Sequence, residues 1–499
     1  MGIFIFNGNR IKRFPGGSQY DGEKLPGDLT SWNVLTTDPN YIIESTYGSL
    51  QKRSMTLYHT HPLCTAAVDK QTMYAVGPGL VFRSQPDSST IGKTKSWAKD
   101  WGKEFQKIVH YYFQEFGFYE KQSVLFRSAL AGGDSWLSFD RDEKGNLNDL
   151  VEFGGDHIDW EKNGDNYTLG IRHDKLLRRL GVMTVEGDDI NFRNSNGDQL
   201  IIQLVFKKLC RQLRGYPLLY TIINLAKQDD RHIDATVKRA VMEAIIMASA
   251  KGEGVNWGKK FDNLDDVAQE NKRGGAFTRV LARFGSKEVP SGTVINIGKD
   301  DEWNFHDIKT PSNTFGDFKT WILNYIAAGT ETPPEIILGK YDSSYSARQG
   351  AFNDFEKSFM NKRKITERIC LYPVIREIAK DAIMQGLIEA PGFFGGHPII
   401  QRAYLQGMVL GPVPGAINPL QEVNAHIKAV DAGFELRSDI AALYGNEWDN
   451  FIEEWGQEQD DYFSKSPEKR AEIMQQEEEN QDQTNNQNVG GGNASSQTE

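Results

Sequence analysis

The chain has 499 residues and a formal net charge of −11, and 25% of its residues are charged. A length of this order exceeds one typical domain and predicts about two to four structural units. The acidic balance argues against a protein that grips nucleic acid over a broad basic surface, because such binding depends on neutralising phosphates. It does not exclude a protein past which DNA slides.

Cysteine usage and hydropathy restrict the compartment. Cys64, Cys210 and Cys370 are far apart and odd in number, which predicts a reducing environment without a disulfide framework. The N-terminus, MGIFIFNGNR, lacks the basic and apolar regions of a signal peptide, and no apolar run approaches the roughly 20 residues that span a bilayer. We therefore expect synthesis in the cytoplasm and no membrane partner.

The N-terminal half predicts an α+β region. Between about 75 and 215, short apolar runs alternate with turn signals, and Asn163-Gly164 and Asn196-Gly197 are strong hairpin dipeptides. A segment with helical spacing, residues 97–116, lies among these runs.

Long helices are predicted after Pro217, which suits a first helical position. Apolar residues recur at helical spacing up to about residue 250, and a continuous helix would be about 50 Å long. A Gly-rich stretch, residues 251–311, then contains two short strand-like pieces. A second helix follows and is expected to end with Gly329 in the left-handed capping position.

A third helix is predicted from the Ser346 N-cap to about Gly386, with a kink at Pro373 because proline removes a backbone hydrogen bond. Glycine-proline loops and shorter helices follow. Residues 464–499 are too polar to bury a core and are predicted to be disordered.

The search for catalytic, cofactor and metal sites predicts none of the three. Ile91-Gly92-Lys93-Thr94 lacks the first glycine of a phosphate loop, since Asp87 occupies that position. His59 and His61 with Cys64 have a ligand-like composition, but the rest of a zinc site is missing from the sequence. Residues 140–145 resemble the start of a calcium loop, yet Lys144 stands at a ligand position, and a turn between strands explains them better.

Several segments instead share a pattern with one family. They are residues 75–80 (AVGPGL), 214–217 (RGYP), 314–329 with 332–339 (TPPEIILG), 341–348 (YDSSYSAR), Gly411-Pro412, Asn418-Pro419 with Glu422, Gly433, Arg437, and 444–448 (YGNEW). Over roughly residues 50–460 the chain resembles the portal proteins of tailed bacteriophages, specifically the lambda-type branch. It departs from the family pattern at three positions: Asn418 stands where the family has aspartate, Pro333 where it has valine, and Glu447 where it has the aspartate of Gly-x-Asp-Trp.

The resemblance implies an α+β portal fold with long stem and wing helices, a small α/β clip between two stem helices, and a mixed N-terminal wing. The implied parts are wing 1–216, stem 217–250, clip 251–311, stem 312–330, tunnel loop 331–346, long wing helix 347–389, crown region 390–463 and disordered tail 464–499. The implied site residues are a DNA-facing tunnel loop (Lys340, Tyr341, Asp342, Ser343, Ser344, Tyr345) and a docking surface in the clip (Lys272, Arg273, Arg279, Arg283).

The function that the resemblance implies is a non-enzymatic ring, usually of twelve copies, at one vertex of a viral head. Double-stranded DNA would pass through it, and its implied partners are the large terminase subunit, major capsid and scaffolding proteins, and a head-completion or neck protein. An ATP-driven terminase subunit is the alternative from another class, and it would need a phosphate loop and clustered carboxylates. A head-tail adaptor is a second alternative, which rarely needs a chain this long.

Overall fold

The structure, a computed structural model, describes residues 38–44, 46–164, 166–245, 249–251, 302–304, 315–341, 345–412, 419–443 and 448–465. The α-helices in these residues are α1 (Pro39–Glu44), α2 (Tyr47–Thr60), α3 (Pro62–Ala75), α4 (Ser88–Ile91), α5 (Lys95–Glu115), α6 (Phe118–Gly132), α7 (Ile223–Ile245), α8 (Phe315–Thr330), α9 (Pro334–Leu338), α10 (Tyr345–Thr366), α11 (Tyr372–Met384), α12 (Pro398–Tyr404), α13 (Pro419–Asp431), α14 (Arg437–Leu443) and α15 (Trp448–Lys465). The strands are β1 (Val81–Ser84), β2 (Asp134–Arg141), β3 (Leu147–Gly154), β4 (Tyr167–Thr168), β5 (Ile171–His173), β6 (Arg179–Met183), β7 (Asp189–Asn191), β8 (Ile201–Val205), β9 (Ser249–Lys251), β10 (Glu302–Asn304) and β11 (Gly407–Leu410).

The mixed helix-and-sheet architecture confirms the predicted α+β class. The predicted helix at 97–116 is α5, which buries one face of aromatic and aliphatic side chains that includes Phe105 and Phe113. The largest core cluster joins α3, α5 and α6 to α8, α9, α10 and α11, so the two halves of the chain share one core. Burial of this much apolar surface is the main contribution to the stability of the region.

Two antiparallel sheets lie in the N-terminal half. The first has the order β3-β2-β8, and its central residue Trp136 pairs with Phe153 on one side and Gln203 on the other. The second, β4-β5-β6-β7, is inserted between β3 and β8, and its Ile171 and Val182 share a small core with Trp136 of β2 and Ile201 of β8. Asn196-Gly197 forms the predicted tight turn, with φ of +84° at Gly197 between the bridged residues Arg193 and Gln199.

A C-terminal strand pairs with an N-terminal one. Strand β11 pairs antiparallel with β1, with Val409 opposite Phe82, and both side chains are buried in the main core. Part of the region expected to form a crown therefore packs against the N-terminal half of the chain.

The first long helix is shorter than predicted. Pro217 precedes a 3₁₀ turn, Leu218–Thr221, and α7 begins at Ile223 and ends at Ile245, a length of about 35 Å. Strand β9 follows and pairs antiparallel with β10 at the other end of the predicted clip. The helix therefore does not reach residue 250.

The role predicted for Gly329 is wrong. Gly329 lies inside α8, and a Cβ atom there would overlap Cγ2 of Ile222, so the glycine permits close contact with the 3₁₀ turn before α7. The left-handed conformation occurs two residues later, at Glu331, whose φ is +56°. Glycine was needed for packing and not for chain reversal.

The third helix has about the predicted extent, but its irregularity is a π-helical segment that precedes Pro373. A π-helical segment, Glu367–Leu371, joins α10 to α11, and Pro373 lies in the first turn of α11. The wider π turn accommodates a proline that lacks an N–H group. Gly386, with φ of +72°, follows α11. At the other end α10 begins at Tyr345, so Ser346 lies within its first turn and not at the N-cap.

Candidate DNA-facing loop and its anchors

The segment expected to form a loop between α8 and α10 contains a short helix. Helix α9 begins after Pro333 and ends at Gly339, which has φ of +64° and closes the turn. Ile336 and Ile337 are buried in the main core, so α9 is an anchor of the segment. Tyr341, beyond the anchor, is 48% exposed, and the guanidinium of Arg348 lies 6.0 Å from its ring centroid.

Helix α3 holds the start of the segment through a buried amide. The Gln71 side chain donates to the carbonyl of Thr330 and, at 3.0 Å, to the hydroxyl of Thr332. All three side chains are buried. Because a buried amide that loses its partners destabilises the fold, these bonds fix where the chain leaves α8.

An ion pair clamps the strained residue of the segment to α10. Glu331 accepts hydrogen bonds from Lys362 Nζ and Ser358 Oγ, both at 2.7 Å. Partial burial opposes ionisation of Glu331, but the charge and hydrogen bond of Lys362 hold the pKa of this carboxyl below its ordinary value. The clamp compensates for a left-handed backbone that a residue with a Cβ atom rarely adopts.

Aromatic side chains fasten α10 to α3. Tyr74 makes edge contacts with Phe352 and Phe355, at ring-centroid distances of 5.9 and 5.4 Å, and a tilted contact with Phe359 at 5.7 Å. Phe355 and Phe359 are buried. This cluster sets the position of α10, and hence of the far end of the segment.

Arg363 brings together three stretches that are distant in sequence. Its guanidinium donates to the carbonyl oxygens of Ala75 and Tyr74, both at 2.7 Å, and of Pro412 at 2.8 Å. A Cβ atom at Gly411 would lie 2.7 Å from the guanidinium carbon, which explains a glycine there. Two segments of the family pattern, residues 75–80 and Gly411-Pro412, thus both contact Arg363 of α10.

A groove of about 800 Å³ lies beside this junction, between the end of β8 and helices α8, α9 and α10. Its lining includes Lys207, Lys208, Lys357, Lys362 and Glu331. Desolvation, and then the charge of nearby Arg179, lowers the pKa of Lys207 to about 8.

Helix α10 contains five Lys or Arg residues and two acidic residues, and most of its basic side chains have partners within the chain. Lys357 pairs with Asp354 at 3.2 Å, and Lys364 pairs with Glu367 at 2.9 Å. With Lys362 and Arg363 also engaged, most of these charges stabilise the fold, which limits how many could contact phosphate.

None of the candidate chemical motifs assembles a site. Asp87 caps α4 and accepts hydrogen bonds from the Ser89 and Thr90 hydroxyls, which hold its pKa at about 2, so the phosphate-loop-like stretch is a helix junction. Asp142 accepts from the backbone of Lys144 and Asn146 in the turn between β2 and β3.

The histidine pair lies at a helix junction. His59 is exposed, while His61 is buried between α2 and α3, with Nε2 3.4 Å from Asp229. Burial raises the pKa of the Cys64 thiol to about 12, which disfavours the thiolate that binds metal. Across the described ranges, no group of three or more His, Cys, Asp or Glu residues is placed to hold a metal ion. Nor does any helix in those ranges combine the length and apolarity needed to cross a bilayer.

Only some of the predicted site residues lie within the described residues. The backbone is described through Tyr341 and again from Tyr345, whereas Asp342, Ser343, Ser344 and the Tyr345 side chain lie outside the described residues. All four predicted docking residues of the clip also lie outside them. They are Lys272, Arg273, Arg279 and Arg283.

Sequence reasoning missed a buried ion pair in the N-terminal half of the chain. Arg214 and Asp134 are fully buried and form a bidentate pair at 2.6 and 3.1 Å, and Arg214 also lies 4.5 Å from the Tyr47 ring centroid. Burial opposes its charge, but Asp134 raises the pKa of Arg214 above its ordinary value. Residues 214–217 match a family pattern, but this pattern does not indicate that Arg214 is buried or that Asp134 is its partner.

Residues 26–363 match the sequence model of the phage portal protein, lambda family. The chain belongs to this family. The match covers most of the region predicted as the N-terminal wing, the regions predicted as the two stem helices and the clip, and the start of the predicted long wing helix. Lambda-family membership confirms the resemblance and favours a portal protein over a terminase subunit.

Solved particles of gene transfer agents also contain chains similar to this portal family member. A chain from the neck of a native particle, computed with C12 symmetry, has 12% identity and a TM-score of 0.36, over 79% of this chain and 93% of the other. A chain from the virion of the native particle has 12% identity and a TM-score of 0.38, over 80% and 93%. The family assignment rests on the sequence match alone.

Proposed function

We propose that twelve copies of this chain form a ring at one vertex of a phage head, through which double-stranded DNA is packaged and later ejected. The family match over residues 26–363 carries this proposal. The ring would be a structural part of the virion, assembled in the host cytoplasm, and would perform no catalysis of its own.

The arrangement of the stem helices supports the proposal. Asp229 of α7 contacts Lys319 of α8, and Ile222 before α7 contacts Gly329 near the end of α8, so the two helices run antiparallel. Strands β9 and β10 pair at the far end of α7. This order would present residues 252–301 at the tip of a helix pair, as a clip at the end of a stem.

The other regions of the proposed portal subunit follow from the order of the segments along the chain. We propose wing 1–216, stem 217–250 and 312–330, clip 251–311, tunnel loop 331–346 and long wing helix 347–389. The crown would be residues 390–463, which include strand β11 and helices α13 and α14, and the tail would be 464–499.

The tunnel loop would project residues 340–345 toward the DNA. The anchors at Gln71, Glu331 and α9 hold one end of the segment, and the aromatic cluster around Tyr74 holds the other. Opposite charges at Lys340 and Asp342 would give weak contact with a passing duplex. Tight binding of the DNA by the loop would hinder its function, because strong neutralisation of the phosphates would stop the DNA from sliding.

We propose that the clip docks the large terminase subunit and then a head-completion or neck protein, while the wing contacts major capsid and scaffolding proteins. Charge reversal at Arg279 and Arg283 is expected to weaken co-purification of the terminase subunit while rings still form. Charge reversal at the exposed residues Lys52 and Arg53 of α2 is the matched control. Terminase binding at the control level would contradict this docking surface.

Negative-stain micrographs of the purified full chain test the ring. Closed rings with a central hole support the proposed function, and a uniform field of monomers contradicts it. Absence of ATP turnover by the same sample is expected, since the proposed role includes no nucleotide chemistry.

A further inference from the structure

Helix α8 exposes a stripe of aromatic side chains. Phe318, Trp321 and Tyr325 are 38%, 46% and 54% exposed and follow one another at helical spacing. Their rings touch in series, with centroid distances of 6.1 Å between Phe318 and Trp321 and 4.4 Å between Trp321 and Tyr325. Three contiguous exposed aromatics on one helix face are typical of a protein interface.

A second apolar patch lies on α7. Ile233 and Val237 are 39% and 56% exposed. Ala226, Asp230, Ile233 and Val237 follow one another at spacings of four, three and four residues. All four therefore share one face of the helix. Ala226 is buried in the main core and Asp230 lies 3.9 Å from His61, so this face turns toward the wing.

The two patches lie on opposite faces of the α7–α8 pair. On α8, Leu323 and Ala327 pack into the wing core, and the helical spacing places the aromatic stripe on the side away from them. The contact of His232 with Phe318 fixes how α7 lies against α8. The stripe therefore faces away from the wing side, whereas Ile233 and Val237 lie on the wing side beyond the end of the core.

Charge on the two faces is complementary. Arg231 is exposed on the face of α7 opposite Ile233 and Val237, and so on the same side of the helix pair as the stripe. Asp230 and Asp234 border the Ile233 patch and are 29% and 62% exposed, and each already pairs with a lysine of α7, at 3.2 Å with Lys227 and at 2.6 Å with Lys238. Opposite charge at matching edges favours association in one orientation.

We propose that the aromatic stripe of one copy packs against the Ile233–Val237 patch of the next copy, with Arg231 facing Asp230 and Asp234 across the contact. Two different patches on opposite faces form a heterologous contact, which generates a ring when the rotation closes. The inference rests on the proposed ring and specifies which residues join its subunits. A contact between equivalent stripes would instead give a closed dimer.

Paired cysteines test this contact in the full chain. The background is Cys210→Ser, because Cys210 is the exposed native cysteine and Cys64 and Cys370 are buried. The variants are Trp321→Cys, Ile233→Cys and the double variant, each treated with a short bifunctional maleimide and examined on a denaturing gel. The double variant is expected to give a ladder of covalent multimers. A mixture of the two single variants, assembled together, is expected to give covalent dimers only.

Each single variant alone is the control, since equivalent positions are not expected to meet. Leu176→Cys with Ile233→Cys is a second control, because Leu176 is more exposed than Trp321, at 74% against 46%, but lies on the β5–β6 turn. Rings without a ladder would overturn this interface and leave the proposed function standing. Dimers from Trp321→Cys alone would show an isologous contact and overturn it as well, whereas an unmodified background that stays monomeric would overturn the proposed function itself.

Discussion

Replacing Arg214 by alanine is expected to destabilise the wing by about 3–5 kcal/mol, because it leaves the carboxylate of Asp134 buried and unpaired. The change also removes the hydrogen bonds that Arg214 donates to the carbonyls of Leu169 and Gly155. In thermal unfolding, Tm is expected to fall by on the order of 10 °C.

Arg178→Ala is the matched control for this prediction. Arg178 also pairs with an aspartate, Asp174, at 2.6 Å, but its side chain is 75% exposed. Exposed pairs contribute about 0–1 kcal/mol, so Tm should hardly change. Arg214→Lys keeps the charge without the bidentate geometry and should fall between the two. Equal Tm values for Arg214→Ala and Arg178→Ala would contradict the role given to the buried pair.

Replacing residues 340–344 by a Gly-Ser linker of equal length is expected to leave the ring intact and to reduce the genome length protected per particle. The anchors that hold the segment, Thr332, Ile336 and Ile337, lie outside the replaced residues and are buried. The substitution would remove the charged and aromatic groups proposed to contact the duplex and keep the chain connection.

A Gly-Ser replacement of residues 143–145, the exposed turn between β2 and β3, provides the control. It alters a surface turn of the wing and should change neither assembly nor packaging. Failure of the 340–344 variant to form rings, with its subunits still folded, would identify the segment as a subunit interface. Normal packaging and retention would make it a simple connector.

The sequence predicted those elements whose formation depends on residues close together in the chain. Helix α5 was predicted at 97–116 and is observed at Lys95–Glu115, because a regular apolar spacing runs through it. Asn196-Gly197 forms a turn in which Gly197 has the positive φ, a conformation that glycine adopts without strain. In contrast, the pairing of β1 with β11 joins residues more than 300 positions apart, and a single sequence contains no local signal for such a partner.

The misjudged glycine and the missed helix have related causes. Gly329 near a helix end suggested a cap, but the tertiary contact with Ile222 decided its role. Helix α9 has five residues, too few for a periodic pattern, and it is held by the burial of Ile336 and Ile337. Arg214 was missed as a structural centre since arginine is ordinarily exposed, and only the fold shows that Asp134 is its partner.

The candidate site was located by family resemblance and not by chemistry. Residues 341–348 carry no charge pattern that would distinguish a channel loop from a surface turn. Their place between α8 and α10 was predicted from the order of segments shared with the portal family, and the match over residues 26–363 confirms that the chain belongs to that family. The clamp at Glu331 could not be predicted, because Lys362 meets it only after α10 packs on α3.

The mass of the assembled particle tests the central claim most directly. Mass photometry or native mass spectrometry of the purified full chain should show one population at twelve times the chain mass of 56.3 kDa. A narrow population at the mass of a single chain, persisting at micromolar concentration, would contradict the proposal that this portal family member forms a ring.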